Sequence, residues 1–298
     1  MWVWHFECYG DEQERNRLIQ FSKAQGITRL LVQIHYEANR SAPDSLTAFT
    51  IRAPDALGDL IQKADEAGIV VEALDGDPNW ALASEQGSFW AKFGTILAWN
   101  EKQPLDRRLV GIHLDIEPYL LKQFKSAEKP RVMREYLELL TEVSKRVKAQ
   151  DPPLTLAADI PFWYDSREEK DPENNIFEFN GKKQYLNRHV QDICDYVAVM
   201  SYRQKAVGGN SITSVSEGEI AYAEQIGKKA FPSVETSEVK DTPTISFYGT
   251  DPSLFRDQLS KVFSTLNGRK GFGGVMIHHY KSFNTYLNQS PSQKEKPS

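Results

Sequence analysis

The 298-residue sequence predicts a single (β/α)8 TIM barrel, an α/β fold, on three observations. Short β-rich runs alternate with longer segments of helical period from one end of the chain to the other. The alternation counts to eight, the number at which parallel strands joined by helices close on themselves. The longest connections all lie on the carboxyl side of the strands, where barrels of this class carry their variable loops. An open doubly wound sheet is the competing arrangement, but no Gly-rich nucleotide turn follows any strand.

Each element has its own signal. The first β run, 2–7, precedes a helix at 11–25 that stops at Gly26. A strand at 29–36 and a connection at 37–54 lead to a helix at 55–67, with Asp55 as N-cap and Gly68 after its end. The third strand, 69–75, and a connection at 76–83 precede a helix at 84–100 capped by Ser84, whose Trp90, Phe93, Ile96 and Trp99 fall at core spacing. A strand at 109–117 and a connection at 118–128 lead to a helix at 130–149, closed by Pro152 and Pro153. A strand at 154–160, a connection at 161–183 and a weak helix at 184–192 follow. A strand at 196–202 and a connection at 203–215 precede a helix at 216–226, which Gly227 ends. The last repeat has a strand at 229–235, a connection at 236–250, a helix at 252–266 capped by Asp251, and a strand at 272–280. Residues 1–288 thus read as one barrel domain, and the polar stretch 289–298 as a disordered tail.

Composition narrows the function classes. With 40% hydrophobic and 26% charged residues, 18 glycines and 15 prolines, the chain is neither collagen-like, coiled-coil nor disordered. A net charge of -5 with both signs interspersed offers nucleic acid no electrostatic footprint. Apolar runs such as 196–200 fall far short of the roughly 20 residues that cross a bilayer, so no membrane-spanning segment is expected. Cys8 and Cys194 lack zinc or redox spacing, and neither metal nor other cofactor is expected. The first residues lack a basic region followed by an apolar one, so no export signal is expected in this chain. The protein is then cytosolic, or a signal was trimmed. Oligomeric state leaves no trace in the sequence.

The fourth strand ends Gly111-Ile112-His113-Leu114-Asp115-Ile116-Glu117-Pro118-Tyr119. With period two, Ile112, Leu114 and Ile116 face the helices, and His113, Asp115 and Glu117 face the barrel axis. Barrel interiors are normally apolar, and carboxylates inside one are costly unless paired or solvated. Three titratable groups at a strand's carboxyl end therefore mark a site. The bland alternative is an internal ion-pair network. Other inward candidates at strand ends are His5, Glu7, Gln33, His35, Glu37, Asp75, Asp159, Tyr202, Ser233, Glu235 and His278 or His279, any of which inverts with a one-residue slip.

Three segments carry a family resemblance. The piece 111–118 resembles the DxxDxDxE signature of chitinase-type family 18 glycoside hydrolases at Asp115 and Glu117, and the resemblance implies that Glu117 is the proton donor. The sixth strand, ending Met200-Ser201-Tyr202, is similar to that family's Met-x-Tyr strand, and 273–278 to its last strand. Val110 and His113 stand where the family has its two earlier acids, Arg203 where an acid follows the tyrosine, and His278 where the last strand has tryptophan. The chain thus resembles a distant member, or a separate barrel glycosidase family with another substrate.

The resemblance implies cleavage of a poly- or oligosaccharide, with or without N-acetyl groups, and Glu117 as general acid. In a substrate-assisted version Asp115 orients the acetamido group and raises the pKa of Glu117, and Tyr202 hydrogen-bonds the cyclised intermediate. In a double-displacement version Glu235 is the nucleophile, as in the large barrel clan with two catalytic glutamates; an inverting enzyme would use a more distant acid such as Asp159. Trp80, Tyr119, Phe162, Trp163, Tyr164 and Tyr248 would floor a saccharide cleft, alongside Asp159, His113 and His278, although aromatic side chains also simply cover barrel mouths. Two other classes stay open. One is a metal-dependent barrel hydrolase gathering Glu37, Asp115, Glu117 and His278 or His279. The other is an inactive barrel that binds a glycan or cell-wall component. The function class favours work outside the cell.

Overall fold

A computed structural model describes residues 1–38, 49–166 and 175–288. The tail expected at 289–298 and parts of the connections at 37–54 and 161–183 lie outside the described residues. Eight parallel strands form one sheet in chain order: Trp2–Val3, Arg29–Gln33, Val70–Asp75, Gly111–Leu114, Thr155–Pro161, Tyr196–Met200, Lys229–Glu235 and Met276–His278. Helices stand between them, and the fold is the (β/α)8 barrel. Two antiparallel hairpins interrupt the pattern, Tyr36–Ala38 with Phe49–Ile51 and Ile176–Phe179 with Lys182–Tyr185.

Strand ends depart from expectation for local reasons. The first strand stops at Val3, because Phe6 is already helical and N-caps the short helix Glu7–Gly10; His5 and Glu7 are exposed and do not point inward. The eighth strand starts only at Met276. Gly273 lies against the Phe231 ring, Gly274 has a φ of 118°, and the ladder breaks after Phe272. A helix absent from the sequence reading, Tyr280–Asn288, takes the chain from there. Gly26, Gly68 and Gly227 take positive φ of 65°, 72° and 70° after their helices. Asp251 accepts the Ser253 amide as an N-cap. Asp55, by contrast, lies inside the helix Pro54–Glu66, and Ser84 inside a 3-10 turn before the helix Gly87–Glu101.

Contacts divide the chain into two compact units. The larger holds Val3–Ile160 and Tyr164–Val197; the smaller holds Met1–Trp2, Pro161–Trp163 and the described part of Ala198–Ser298. Leu30 and Leu31 of the second strand and Leu57 and Leu60 of the following helix are fully buried in the larger unit, as are Tyr136, Leu137 and Leu140 of the helix Lys129–Lys148. In the smaller unit Phe255 packs against Phe247, Phe283 and Tyr286, with ring centroids 5.0, 5.1 and 5.8 Å away.

The inner face of the larger unit carries a buried polar chain. Glu72, fully buried in the third strand, pairs with Arg29, accepts the Thr155 hydroxyl at 3.0 Å and accepts the Tyr196 hydroxyl. Because that phenol spends its proton on Glu72, its oxygen accepts from His113 Nδ1 at 3.1 Å, while His113 Nε2 donates to Asp159 at 2.9 Å. Both ring nitrogens therefore carry hydrogen. Burial alone would lower the His113 pKa, but Asp159 and Glu72 outweigh it and raise it to about 9. Burial likewise acts to raise Glu72, and His113, Arg29 and Tyr196 reverse it, holding the carboxylate below its ordinary range. Gly111 makes the room: a Cβ there would stand 2.0 Å from Thr155 Oγ1 and 3.1 Å from the Glu72 carboxyl carbon. Asp75, expected inward, lies on the opposite face from Glu72 by strand alternation and pairs with Lys92 of the neighbouring helix at 3.3 Å.

Two outcomes follow. Gly111→Ala should lower unfolding stability by about 1–3 kcal/mol in denaturant titration, the usual cost of overpacking. The His113 proton is bound more tightly in the folded chain, so its contribution, about 3 kcal/mol, is complete below pH 6.5 and lost as pH rises through about 9. The unfolding midpoint of the natural chain should fall across that interval, and that of His113→Gln should be flatter.

Candidate functional site

The fourth strand delivers its chemistry at the point where it ends. Ile112, Leu114 and Ile116 are buried as the apolar set, and His113 points into the polar chain. The Asp115 amide still donates to the Asp75 carbonyl at 3.1 Å, and Asp115 reaches this register because Gly76 has no side chain; a Cβ there would lie 2.0 Å from the Asp115 carbonyl oxygen. Pro118 then opens a 3-10 turn, Pro118–Leu120, and Glu117 stands at its head. The turn folds Tyr119 back so that its hydroxyl donates to Glu117 Oε1. Asp115, Glu117 and Tyr119 keep part of their surface open to solvent.

Proton placement follows from the neighbours. Arg29 and Glu72 offset one another, as do the His113 imidazolium and Asp159. Among the described residues, His113 is the cation that favours a charged Asp115. Burial, then the nearby Asp159 and Glu117 carboxyls, push Asp115 well above the usual carboxylate range, against the pull of His113. Burial and the Glu117 charge also raise the Tyr119 phenol, which keeps it a donor toward Glu117. Carboxyl groups whose surroundings drive their titration apart can divide acid and base roles between them.

A second cluster belongs to the smaller unit. Glu235, buried at the end of the seventh strand, accepts the amides of Thr236 and Ser237 on Oε1 at 2.7 and 2.6 Å and His278 Nδ1–H on Oε2 at 2.7 Å. Burial tends to raise its pKa, but His278 and Ser237 reverse this and hold it low. The Tyr202 ring lies 6.1 Å from that of His278, and the Trp2 ring 5.6 Å from it, edge-on. His278 and His279, expected on opposite faces of a regular strand, are joined by a cis peptide bond and have ring centroids 5.0 Å apart.

The structure thus groups Asp115, Glu117, Tyr119, Asp159 and His113 in one unit, and Tyr202, Glu235 and His278 in the other. Trp80 joins neither cluster. It is only 3% exposed, packs on Phe89 at 5.1 Å and lies under the Lys92 ammonium at 5.2 Å, so no open cleft is floored by it. Trp163 is half-buried beside Phe162, Tyr164 is buried against Phe124 with Tyr119 edge-on at 6.4 Å, and Tyr248 is 42% exposed. His35 is tied to the Trp4 carbonyl at 3.1 Å, and Glu37 is exposed in a hairpin. Among the described residues no group of three or more His, Cys, Asp or Glu has metal-binding geometry. The sequence reading missed Glu72, Arg29 and Tyr196; an acid inside the apolar run 70–74 was the available signal.

No family model matches the sequence, and no curated protein matches it. Solved structures do resemble it. A chitinase from Chromobacterium violaceum ATCC 12472 is 16% identical, over 98% of this chain and 99% of that one, with a TM-score of 0.54. The spore cortex-lytic enzyme SleL of Bacillus cereus is 13% identical, over 93% and 69%, with a TM-score of 0.52. A class V chitinase from Pseudomonas fluorescens Pf-5 is 13% identical, over 96% and 97%, with a TM-score of 0.50. Likeness at such identities is a likeness of fold: the chain has the barrel of chitinase-type and related glycosidases, as a distant resemblance.

Proposed function

We propose that the protein is a glycoside hydrolase in which Glu117 protonates the leaving glycosidic oxygen. The observation that carries this is the end of the fourth strand, where Glu117 stands partly open, two residues from an Asp115 that burial and neighbouring carboxyls push well above the usual carboxylate range, with Tyr119 donating to it. The barrel shared with chitinases and with SleL supports the same class.

The steps balance as follows. The Glu117 proton passes to the bridging oxygen as the C1–O bond breaks and its electron pair leaves with the alcohol. In the substrate-assisted version the carbonyl oxygen of the substrate's acetamido group closes on C1, and Asp115 orients that group. The Glu117 carboxylate then takes a proton from the water that reopens the ring, restoring the acid. His113 and Asp159 position Asp115. The double-displacement version instead assigns the attack to Glu235. Three donors already share the charge of that carboxylate, which weakens it as a nucleophile and favours the acetamido route.

The test is a screen of oligosaccharides with and without N-acetyl groups. Glu117→Gln should cut turnover of any substrate found by about 10²–10⁴-fold, while chelator leaves the natural chain unaffected. Full activity in that variant, chelator-sensitive turnover, or glycan binding without released sugar would each overturn the assignment. Asp115→Asn should lower kcat about a hundredfold on acetamido substrates, the scale of losing one preorganised polar group. An enzyme using the substrate's acetamido group keeps turnover in Glu235→Ala, whereas one with a Glu235 nucleophile loses it.

A further inference from the structure

Within the smaller unit, the loops after the sixth and seventh strands border an open cavity of about 390 Å³, within the size range of small-ligand sites. Arg203 dominates it. Its Nε donates to Asn210 Oδ1 at 2.8 Å, one Nη1 proton goes to the Tyr202 carbonyl at 2.7 Å, and the guanidinium stacks 4.7 Å over the Phe162 ring. These contacts fix the plane of the group and leave Nη2 unused among the described residues. No described carboxylate neutralises it. Burial draws the Arg203 pKa down from its usual value, and no anion acts against that. The group stays charged all the same.

The remaining lining is polar apart from Ile245. Lys205 adds a second cation, while Gln204, Asn210, Thr242 and Thr244 offer amides and hydroxyls, and no acid lines the cavity. With Nε committed, Nη2 and the second Nη1 proton remain for a carboxylate held end-on, and neutral donors and acceptors around it suit hydroxyls. The cavity adjoins the Tyr202, His278 and Glu235 cluster. Arg203 follows Tyr202 directly, Gln204 Nε2 donates to the Pro243 and Ser246 carbonyls, and Ser246 Oγ donates to the Glu235 carbonyl at 3.3 Å.

We propose that this cavity is a subsite for a sugar bearing a carboxylate, with Arg203 gripping the acid group and the amides and hydroxyls around it holding the ring. The proposal goes beyond the glycosidase assignment and names a class of saccharide that the smaller unit's own residues would bind. The test uses the full chain carrying Glu117→Gln, so that nothing is turned over, and titrates glucuronate, glucose and inorganic phosphate by ligand-observed NMR. Glucuronate should bind at least tenfold more tightly than glucose and weaken with salt. Arg203→Ala should weaken glucuronate by about ten- to hundredfold, and Arg203→Lys, which keeps the charge without the fork, should fall between. Unfolding midpoints of both variants report whether the fold is intact, and the lysine variant decides if the alanine one does not fold. Glucuronate binding that ignores Arg203, or equal binding of glucose, overturns the subsite. Phosphate binding as tight as glucuronate overturns it as a carboxylate site. Turnover of glycans with and without uronate residues by the natural chain is measured separately. If it is absent while Arg203-dependent glucuronate binding holds, the hydrolase assignment fails and the binding site stands.

Discussion

The larger unit depends on a buried alternation of charge running from Arg29 through Glu72 and His113 to Asp159. Isolated, each of these ions would be costly inside a protein. Linked, each has an opposite neighbour, and the Tyr196 hydroxyl fixes the direction of the proton donors by giving to Glu72 and receiving from His113. The chain exists because Gly111 leaves space for the Glu72 carboxyl and because the third, fourth and fifth strands run parallel in a register that pairs Glu72 with Gly111 and Gly111 with Thr155.

From that chain the character of the strand end follows. His113 occupies the place where chitinase-type barrels carry an acid, so Asp159 is already satisfied when Asp115 approaches it. The upward push on Asp115 therefore comes from burial first and then from the Asp159 and Glu117 carboxyls, against His113. Glu117, just past the strand, leaves the sheet at the turn of Pro118, where the Tyr119 hydroxyl donates to it.

Much of this was legible in the sequence. Period-two alternation placed all eight strands, and the glycines after three helices marked their ends, because backbone geometry and apolar patterning are local properties. The apolar set Ile112, Leu114 and Ile116 likewise assigned the facing of His113 and Asp115. What escaped was non-local. Whether Asp75 or Glu72 faced inward depended on register, and the Lys92 partner that holds Asp75 outward lies on a helix 17 residues later. Trp80 reads as a saccharide platform only until Phe89 and Lys92 are seen to cover it. The shortened first strand turned on Cys8 and Tyr9, whose complete burial draws the chain into a helical turn at once.

The absent side chain at Gly111 has a consequence for descent. A Cβ there would meet the Thr155 hydroxyl first and the Glu72 carboxyl next, so positions 111, 155 and 72 cannot change independently. A side chain larger than hydrogen at 111 requires a smaller residue at 155, and with Thr155 goes the hydroxyl that Glu72 accepts.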